Sequence, residues 1–112
     1  MSECIFCKIL NKEVSTKIIY KDDNTIAFKD IKPVTPVHLL IIPKKHIPTV
    51  DHLESGDKKL IGELFLTAQK IAREQGVSES GYRLIINVGR DAGQTVDHLH
   101  LHLLGGKKLP WT

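Results

Sequence analysis

The segment DHLHLHLLGG, residues 97 to 106, places a histidine at every second position of a leucine-rich run. Neighbouring side chains of a β-strand point to opposite faces, with a rise of ~3.3 Å per residue. The pattern therefore predicts a strand that carries His98, His100 and His102 on one face and the intervening leucines on the other. The leucines are expected to enter the core, and the three imidazoles to face a functional site.

Length and composition indicate one soluble globular domain over residues 1 to 112, with 41% hydrophobic and 26% charged residues. No apolar run approaches the ~20 residues that a bilayer span needs. The net charge is +3, and the lysines are scattered instead of forming a basic stripe. We therefore expect neither a nucleic-acid nor a membrane partner. The first residues, MSECIFCKIL, lack the pattern of a secretory signal, which predicts a cytoplasmic protein.

Apolar residues recur at three- and four-residue spacing between Asp57 and Gln75, which predicts one long helix capped at Gly76. A similar spacing predicts a short helix from Cys4 to Leu10.

Short apolar runs separated by turn residues predict about five strands. The runs are KIIY, TIAFKD, VHLLII, YRLIINVG and HLHLHLL. The first two flank the turn residues Asp22, Asp23 and Asn24, and the third ends at Pro43. Because most connections are short, the expected fold is α+β, with an antiparallel sheet and the helices on one face.

Two kinds of chemistry fit the alternating histidines. They could bind a catalytic zinc that keeps an open position for water, or a neutral imidazole could act as a nucleophile. In the preceding loop, Gly89 and Gly93 favour exposed backbone N–H groups, while Asn87, Gln94 and Thr95 offer neutral donors. This loop suits a phosphate, so the pattern favours phosphoryl transfer by an imidazole.

Cys4 and Cys7 are the two cysteines of the chain. They are too close together to staple the fold, and a reducing compartment makes a structural disulfide improbable. Cys-x-x-Cys is also a redox motif, but the strand and helix context of thioredoxin is absent. A metal-binding pair and two ordinary helix residues remain as interpretations.

The run HLHLHLL matches the His-x-His-x-His-x-x motif of the histidine triad (HIT) superfamily. CIFCKIL, DIKPVTPVHLLIIPKKHI, INVGRDAGQTVDHLHLHLLGG and the late Trp111 resemble the Hint branch, so the resemblance covers essentially the whole chain. It implies a homodimer with a continuous larger sheet. It also implies a purine nucleoside phosphoramidase that cleaves the P–N bond of adenosine or guanosine monophosphate derivatives.

The resemblance also assigns catalytic roles. His100 is the expected nucleophile, forming a nucleotidyl-histidine that water hydrolyses. His102 is expected to contact the phosphate, and His38 to complete a hydrogen-bond relay. His98, the first histidine of the motif, is expected beside the nucleophile. Thr95 stands where a serine is common near the leaving group.

For the nucleotide, the resemblance implies that Asn87, Gly93 and Gln94, with Thr95, surround the phosphate. Asp30 is expected to accept hydrogen bonds from the ribose hydroxyls, although on its own it fits simple turn chemistry. The expected apolar slot for the base comprises Ile5, Phe6, Ile9, Phe28 and Ile31.

In many bacterial members of the branch, the cysteine pair binds zinc together with two histidines. The corresponding residues here are Cys4 and Cys7, with His46 and His98. Two thiolates and two imidazoles make a closed, structural coordination, so no cofactor is expected for catalysis itself. A dinucleoside polyphosphate hydrolase is an alternative, although the tail KKLPWT fits the Hint branch better. Another alternative is a nucleotide-binding module that acts mainly through protein partners.

Overall fold

The computed structural model describes residues 4 to 111. Its helices are α1 (Ile5–Leu10) and α2 (Lys58–Glu74). Its strands are β1 (Ile18–Lys21), β2 (Thr25–Lys29), β3 (Val37–Pro43), β4 (Tyr82–Ile85) and β5 (Leu101–Gly105). Within these residues the strands form one antiparallel sheet in the order β1-β2-β3-β5-β4. The predicted α+β fold with five antiparallel strands is confirmed.

The turn between β1 and β2 is organised by one carboxylate. Asp22 Oδ1 accepts hydrogen bonds from the backbone N–H of Asn24 (2.9 Å) and Thr25 (2.8 Å), and Asp22 Oδ2 accepts one from the Tyr20 hydroxyl (2.8 Å). An aspartate that binds backbone two and three residues ahead stabilises a tight turn. The predicted hairpin is confirmed.

The long helix α2 begins one residue after Asp57 and ends one residue before Gln75, the two limits predicted for it. At its C-terminus Gly76 has a φ of 75°, and the N–H of Val77 bonds to the carbonyl of Ala72 at 3.1 Å. A residue in the left-handed region allows this bond, and glycine adopts that region with little strain. The predicted cap is confirmed. Within the described residues, neither helix is long and apolar enough to cross a membrane.

The two helices pack on opposite faces of the sheet. Beneath α2 lies a cluster formed with the sheet residues Ala27, Leu39, Ile41, Leu101 and Leu103. On the other face, two residues of α1 pack on the sheet and form a second cluster. It comprises Phe6 and Ile9 of α1 with the sheet residues Ile26, Phe28, Leu40 and Ile42.

The expectation that both helices cover one face is therefore wrong. The strands β2 and β3 are buried along most of their length on both faces. Nearly continuous apolar runs, here TIAF and LLII, are typical of strands covered on both faces, and the sequence carried that signal.

Strand β5 begins at Leu101, three residues later than the alternating pattern predicted. Its ladder with β3 reaches the pair Ile41 and Leu101; in the same register His100 would face Ile42, and Leu99 would face Pro43. Proline has no N–H to donate to a ladder, so Pro43 cannot extend the pairing at this end. The N–H of Leu99 instead bonds to the carbonyl of Ile47 at 2.6 Å. Strand β4 likewise ends at Ile85, before the end of the predicted YRLIINVG run.

Candidate catalytic face and metal centre

The histidines of the triad lie on the face that α1 covers. The Phe6 ring packs edge-on against the rings of His98 (5.8 Å between centroids) and His100 (5.1 Å). The His100 and His102 rings are 5.0 Å apart, and His38 joins His102 at 5.3 Å. His98, His100 and His38 are buried, and His102 is half-buried. The triad therefore lies in a covered site, with part of His102 in contact with solvent.

His100 is held in one protonation form by a backbone carbonyl. Its Nδ1 lies 2.8 Å from the carbonyl oxygen of His98. Because a carbonyl can only accept, Nδ1 carries the proton, and a neutral imidazole then has a bare lone pair on Nε2. A bare nitrogen of this kind is the form of histidine that can act as a nucleophile.

His38 and His102 form a relay next to the carboxylate of Asp30. The N–H of Val34 donates to His38 Nδ1 at 3.1 Å, which leaves the ring proton on His38 Nε2. Nε2 lies 3.0 Å from His102 Nδ1 and 3.3 Å from Asp30 Oδ2. His102 therefore accepts at Nδ1 and, when neutral, carries its proton on Nε2.

Burial keeps this relay uncharged. It lowers the pKa of His102 to about 4, with further lowering by neighbouring His100 and His38 and a smaller opposing effect of Asp30. Burial also lowers the pKa of His38 and outweighs the nearby carboxylate of Asp30, which raises it. Both rings are thus neutral near pH 7, as donation from one ring to the next requires.

Four side chains meet beside the first triad histidine. The side-chain ligand atoms of Cys4, Cys7, His46 and His98 all lie within 4.8 Å of one another. His98 Nδ1 is 3.4 Å from Cys4 Sγ, 3.7 Å from Cys7 Sγ and 3.1 Å from His46 Nδ1. Tetrahedral zinc bound to two sulfurs and two nitrogens needs S···N separations of about 3.5 Å and N···N separations of about 3.3 Å. The four residues therefore form a possible metal site of suitable size.

The tautomer of His98 also fits a metal. Its Nε2 lies 2.8 Å from the carbonyl oxygen of Pro43, so Nε2 carries the proton and Nδ1 presents a lone pair to the two thiols. A metal-bound histidine commonly donates its other N–H in this way. Burial, above all, lowers the pKa of His98, which keeps the ring neutral.

Two contacts that the sequence did not predict hold the segment next to His46 against the start of α2. Lys45 Nζ lies 2.8 Å from Asp57 Oδ1, and Asp57 Oδ2 accepts from the N–H of Glu54 just before α2. This ion pair fixes the residue next to His46. An acidic residue at the start of the long helix was the available signal, but its partner Lys45 lies 12 residues away.

The loop before β5 is internally bonded. Gln94 Oε1 accepts from the N–H of Gly89 (2.8 Å), and Gln94 Nε2 donates to the carbonyls of Pro48 (2.7 Å) and Val96 (2.9 Å). The N–H of Gly93 bonds to the carbonyl of Arg90. The N–H groups of Gly89 and Gly93 themselves are therefore engaged within the loop, and the expectation that these glycines let the loop expose N–H groups to a phosphate stays a prediction. Gly89 and Gly93 also supply the positive φ values, 84° and 86°, that shape the loop.

The remaining expected nucleotide residues lie in different surroundings. Phe6, Ile9 and Phe28 are packed together beneath α1, whereas Ile5 is 39% exposed and Ile31 is 86% exposed. Asn87 is half-buried just beyond β4, and Thr95 is exposed in the loop. The structure thus brings together three of the five residues expected to line the base slot.

Comparison with known proteins agrees with this architecture. Residues 11 to 109 match the HIT domain family. The chain is 47% identical over 107 residues to a purine nucleoside phosphoramidase of Escherichia coli K12, covering 96% of this chain and 90% of that protein. A HIT family hydrolase from Legionella pneumophila superposes with a TM-score of 0.95 at 47% identity, covering 97% of each chain.

A zinc-bound histidine triad protein from Mycobacterium smegmatis is 31% identical, with a TM-score of 0.82 over 98% of this chain and 81% of that one. The chain belongs to the HIT domain family, so the resemblance drawn from the HLHLHLL motif is confirmed.

Proposed function

We propose that the protein is a nucleotide hydrolase that cleaves the P–N bond of purine nucleoside 5′-phosphoramidates through a nucleotidyl-histidine intermediate. The observation that carries this proposal is the protonation form of His100, whose Nδ1–H is held by the His98 carbonyl at 2.8 Å so that Nε2 is bare. The name of the E. coli relative supplies the substrate class.

In the first step His100 Nε2 attacks the α-phosphorus and the P–N bond breaks. The nitrogen takes up a proton from solvent and leaves as the free amine, and the Thr95 hydroxyl is the proposed group beside it. Water then attacks the same phosphorus, gives up a proton to solvent and breaks the P–N bond to His100, which releases the nucleoside monophosphate and returns His100 to its starting form. His102, with its proton on Nε2, is the proposed donor to a phosphate oxygen, where negative charge is concentrated during both steps.

Asn87 and the loop from Gly89 to Thr95 are the proposed neighbours of the phosphate. Because Gln94 already bonds within the loop, its proposed role is to shape the loop rather than to bind phosphate directly. Asp30 is the proposed partner of the ribose hydroxyls. The base is proposed to lie against the exposed edges of Ile5 and Ile31, next to the buried side chains of Phe6, Ile9 and Phe28.

We assign the four-residue site to structural zinc. When bound, zinc with two thiolates and two imidazoles supplies a closed cross-link and no open position for water. Cys4 and Cys7 flank the start of α1, while His46 and His98 come from the segments beside β3 and β5. The site would therefore fix α1 and Phe6 over the triad. The cytoplasmic location stays a prediction.

We also propose a homodimer. Strand β4 lies at one edge of the sheet, and on α2 Phe65 is 42% and Leu66 is 65% exposed. A second copy pairing along β4 would continue the sheet and cover apolar surface of the helix. Sedimentation at micromolar concentration should give twice the monomer mass, and a monomer would contradict this part of the proposal.

The decisive experiment measures AMP and GMP release from a panel of adenosine and guanosine phosphoramidates, with dinucleoside polyphosphates as competing substrates. We expect turnover of the phosphoramidates and a transient nucleotidyl adduct in the intact mass of the quenched enzyme. Preference for the polyphosphates would favour the dinucleoside polyphosphate hydrolase. Nucleotide binding without turnover of either class would favour the interaction module.

A further inference from the structure

Asp30 makes more contacts with the relay than a ribose-binding role requires. Its carboxylate is only 18% exposed, and Oδ2 lies 3.3 Å from His38 Nε2. Its other oxygen, Oδ1, accepts from the N–H of Lys32 at 2.8 Å. Its own N–H bonds to the carbonyl of His38 at 3.1 Å. One residue thus contacts both the backbone and the ring of His38.

The Oδ1 contact acts on the opposite side of the same ring. By holding the N–H of Lys32, Asp30 forms the turn that leads to Val34. The N–H of Val34 then donates to His38 Nδ1 at 3.1 Å. The segment from Asp30 to Val34 therefore presents a donor to Nδ1 and places a negative carboxylate oxygen 3.3 Å from Nε2, whose proton is directed at His102. Both contacts favour the tautomer with its proton on Nε2.

We propose that Asp30 is a positioning residue for the reaction: it fixes the tautomer and the ring plane of His38, and through His38 it sets which nitrogen of His102 carries the proton that faces the phosphate. This inference rests on the proposed function for its kinetic consequence. A group that orients an imidazole partner of the reacting histidine is a general feature of nucleophilic sites.

The proposal differs from a ribose-binding role in what an asparagine should do. In the Asp30→Asn variant the amide oxygen can still accept from the N–H of Lys32, so the turn is retained. The amide NH2 then lies beside the N–H of His38 Nε2, where a partly positive group replaces a negative oxygen. The variant therefore loses the attraction that holds the Nε2 proton and the ring plane of His38, and the hydrogen bond from Nε2 to His102 should weaken.

The kinetic test compares wild type and Asp30→Asn on an adenosine phosphoramidate and on its 2′,3′-dideoxy analogue, which lacks the ribose hydroxyls. If Asp30 positions the relay, the variant loses about tenfold in kcat on both substrates. If Asp30 serves ribose binding alone, wild type and variant have the same kcat on the dideoxy analogue, and the proposal is overturned. Asp23→Asn, an exposed carboxylate in the β1–β2 turn, is the matched control and should leave kcat unchanged.

A spectroscopic test needs no turnover. Long-range 1H–15N correlation spectra report which ring nitrogen carries the proton in each histidine. Wild type should show His38 protonated at Nε2 and His102 protonated at Nε2, and Asp30→Asn should shift both signals while Asp23→Asn should not. Unchanged His38 and His102 signals in a folded Asp30→Asn variant would overturn the positioning role. If wild type hydrolyses no phosphoramidate, the proposed function fails, and these spectra still decide the role of Asp30.

Discussion

Two clusters of histidines with nearly the same dimensions differ in where their protons lie. Cys4, Cys7, His46 and His98 form one cluster, and Asp30, His38 and His102 form the other. In each cluster the ligand atoms lie within 4.8 Å of one another, and in each two ring nitrogens are about 3 Å apart (3.1 Å and 3.0 Å). By spacing alone, either group could hold a metal ion.

Backbone partners distinguish the two clusters. In the cysteine-containing cluster a carbonyl, that of Pro43, takes the N–H of His98, so the nitrogen inside the cluster is bare and can bind a metal. In the other cluster an N–H, that of Val34, occupies Nδ1 of His38, so the nitrogen inside the cluster carries a proton. A metal there would have to displace that proton and break the Val34 contact. The first cluster is therefore built for a cation, and the second for passing hydrogen bonds to His102.

The largest effect is expected at the nucleophile, which belongs to neither cluster. His100→Ala should lower kcat by at least about a thousandfold, because the step that forms the covalent intermediate is lost. Affinity for AMP should change only a few-fold, because sugar and base contacts remain. Steady-state kinetics and calorimetric titration with AMP measure both quantities. His52→Ala, at an exposed histidine bonded to Thr49, is the control and should keep full turnover; near-normal kcat in His100→Ala would mean that the covalent mechanism is wrong.

Removing the two thiols tests the metal cluster. The Cys4→Ser, Cys7→Ser double variant should lose bound zinc and some stability, since binding that is linked to the folded state stabilises it. Its kcat should fall by only about twofold to threefold, through looser packing of Phe6 on His98 and His100. Zinc content, melting temperature and kcat are measured together, before and after a strong chelator. Activity that tracks zinc in direct proportion would instead indicate a water-activating metal.

Acid should destabilise the relay cluster. The unfolded chain binds a proton on His102 near the ordinary value of 6.5, but the folded protein does so only near its pKa of about 4. Between these values the unfolded state holds more protons, so the free energy of unfolding falls as the pH is lowered from 6.5 toward 4 and is flat above that range. Urea midpoints of the zinc-free protein at pH 7 and pH 5 should show a smaller drop for His102→Asn than for wild type. Equal drops would contradict the burial of a neutral His102.

The smallest effect is expected at the ion pair beside the metal cluster. Lys45→Met removes the 2.8 Å contact to the buried carboxylate of Asp57, which keeps its hydrogen bond from the N–H of Glu54, so the loss of stability should be modest. Zinc affinity should weaken by less than about tenfold, because the backbone next to His46 becomes less fixed. Competition with a chromophoric chelator measures this change. Lys59→Met, which removes an exposed lysine that pairs with Glu63 at 3.9 Å, is the control and should leave zinc affinity unchanged.

The sequence by itself determined the elements and the residue types of the site. Alternation at HLHLHLL, the aspartate turn before β2, the 3.6-residue spacing of α2 and the Cys-x-x-Cys pair each predicted a feature that the structure contains. These signals are local, because they depend on which face a side chain takes within one helix or strand. Family resemblance then connected them to a nucleophile and a metal site.

Only the tertiary structure decided which face α1 covers and where β5 begins. Both follow from pairing between distant segments: β2 and β3 are buried on two sides, and the ladder between β3 and β5 ends at Ile41 and Leu101, two pairs before Pro43. Tertiary structure also decided the proton positions. His98 is fixed by a carbonyl 55 residues away, and His102 by a histidine 64 residues away. A histidine's tautomer depends on the partner at each ring nitrogen, and residue spacing along the chain does not specify those partners.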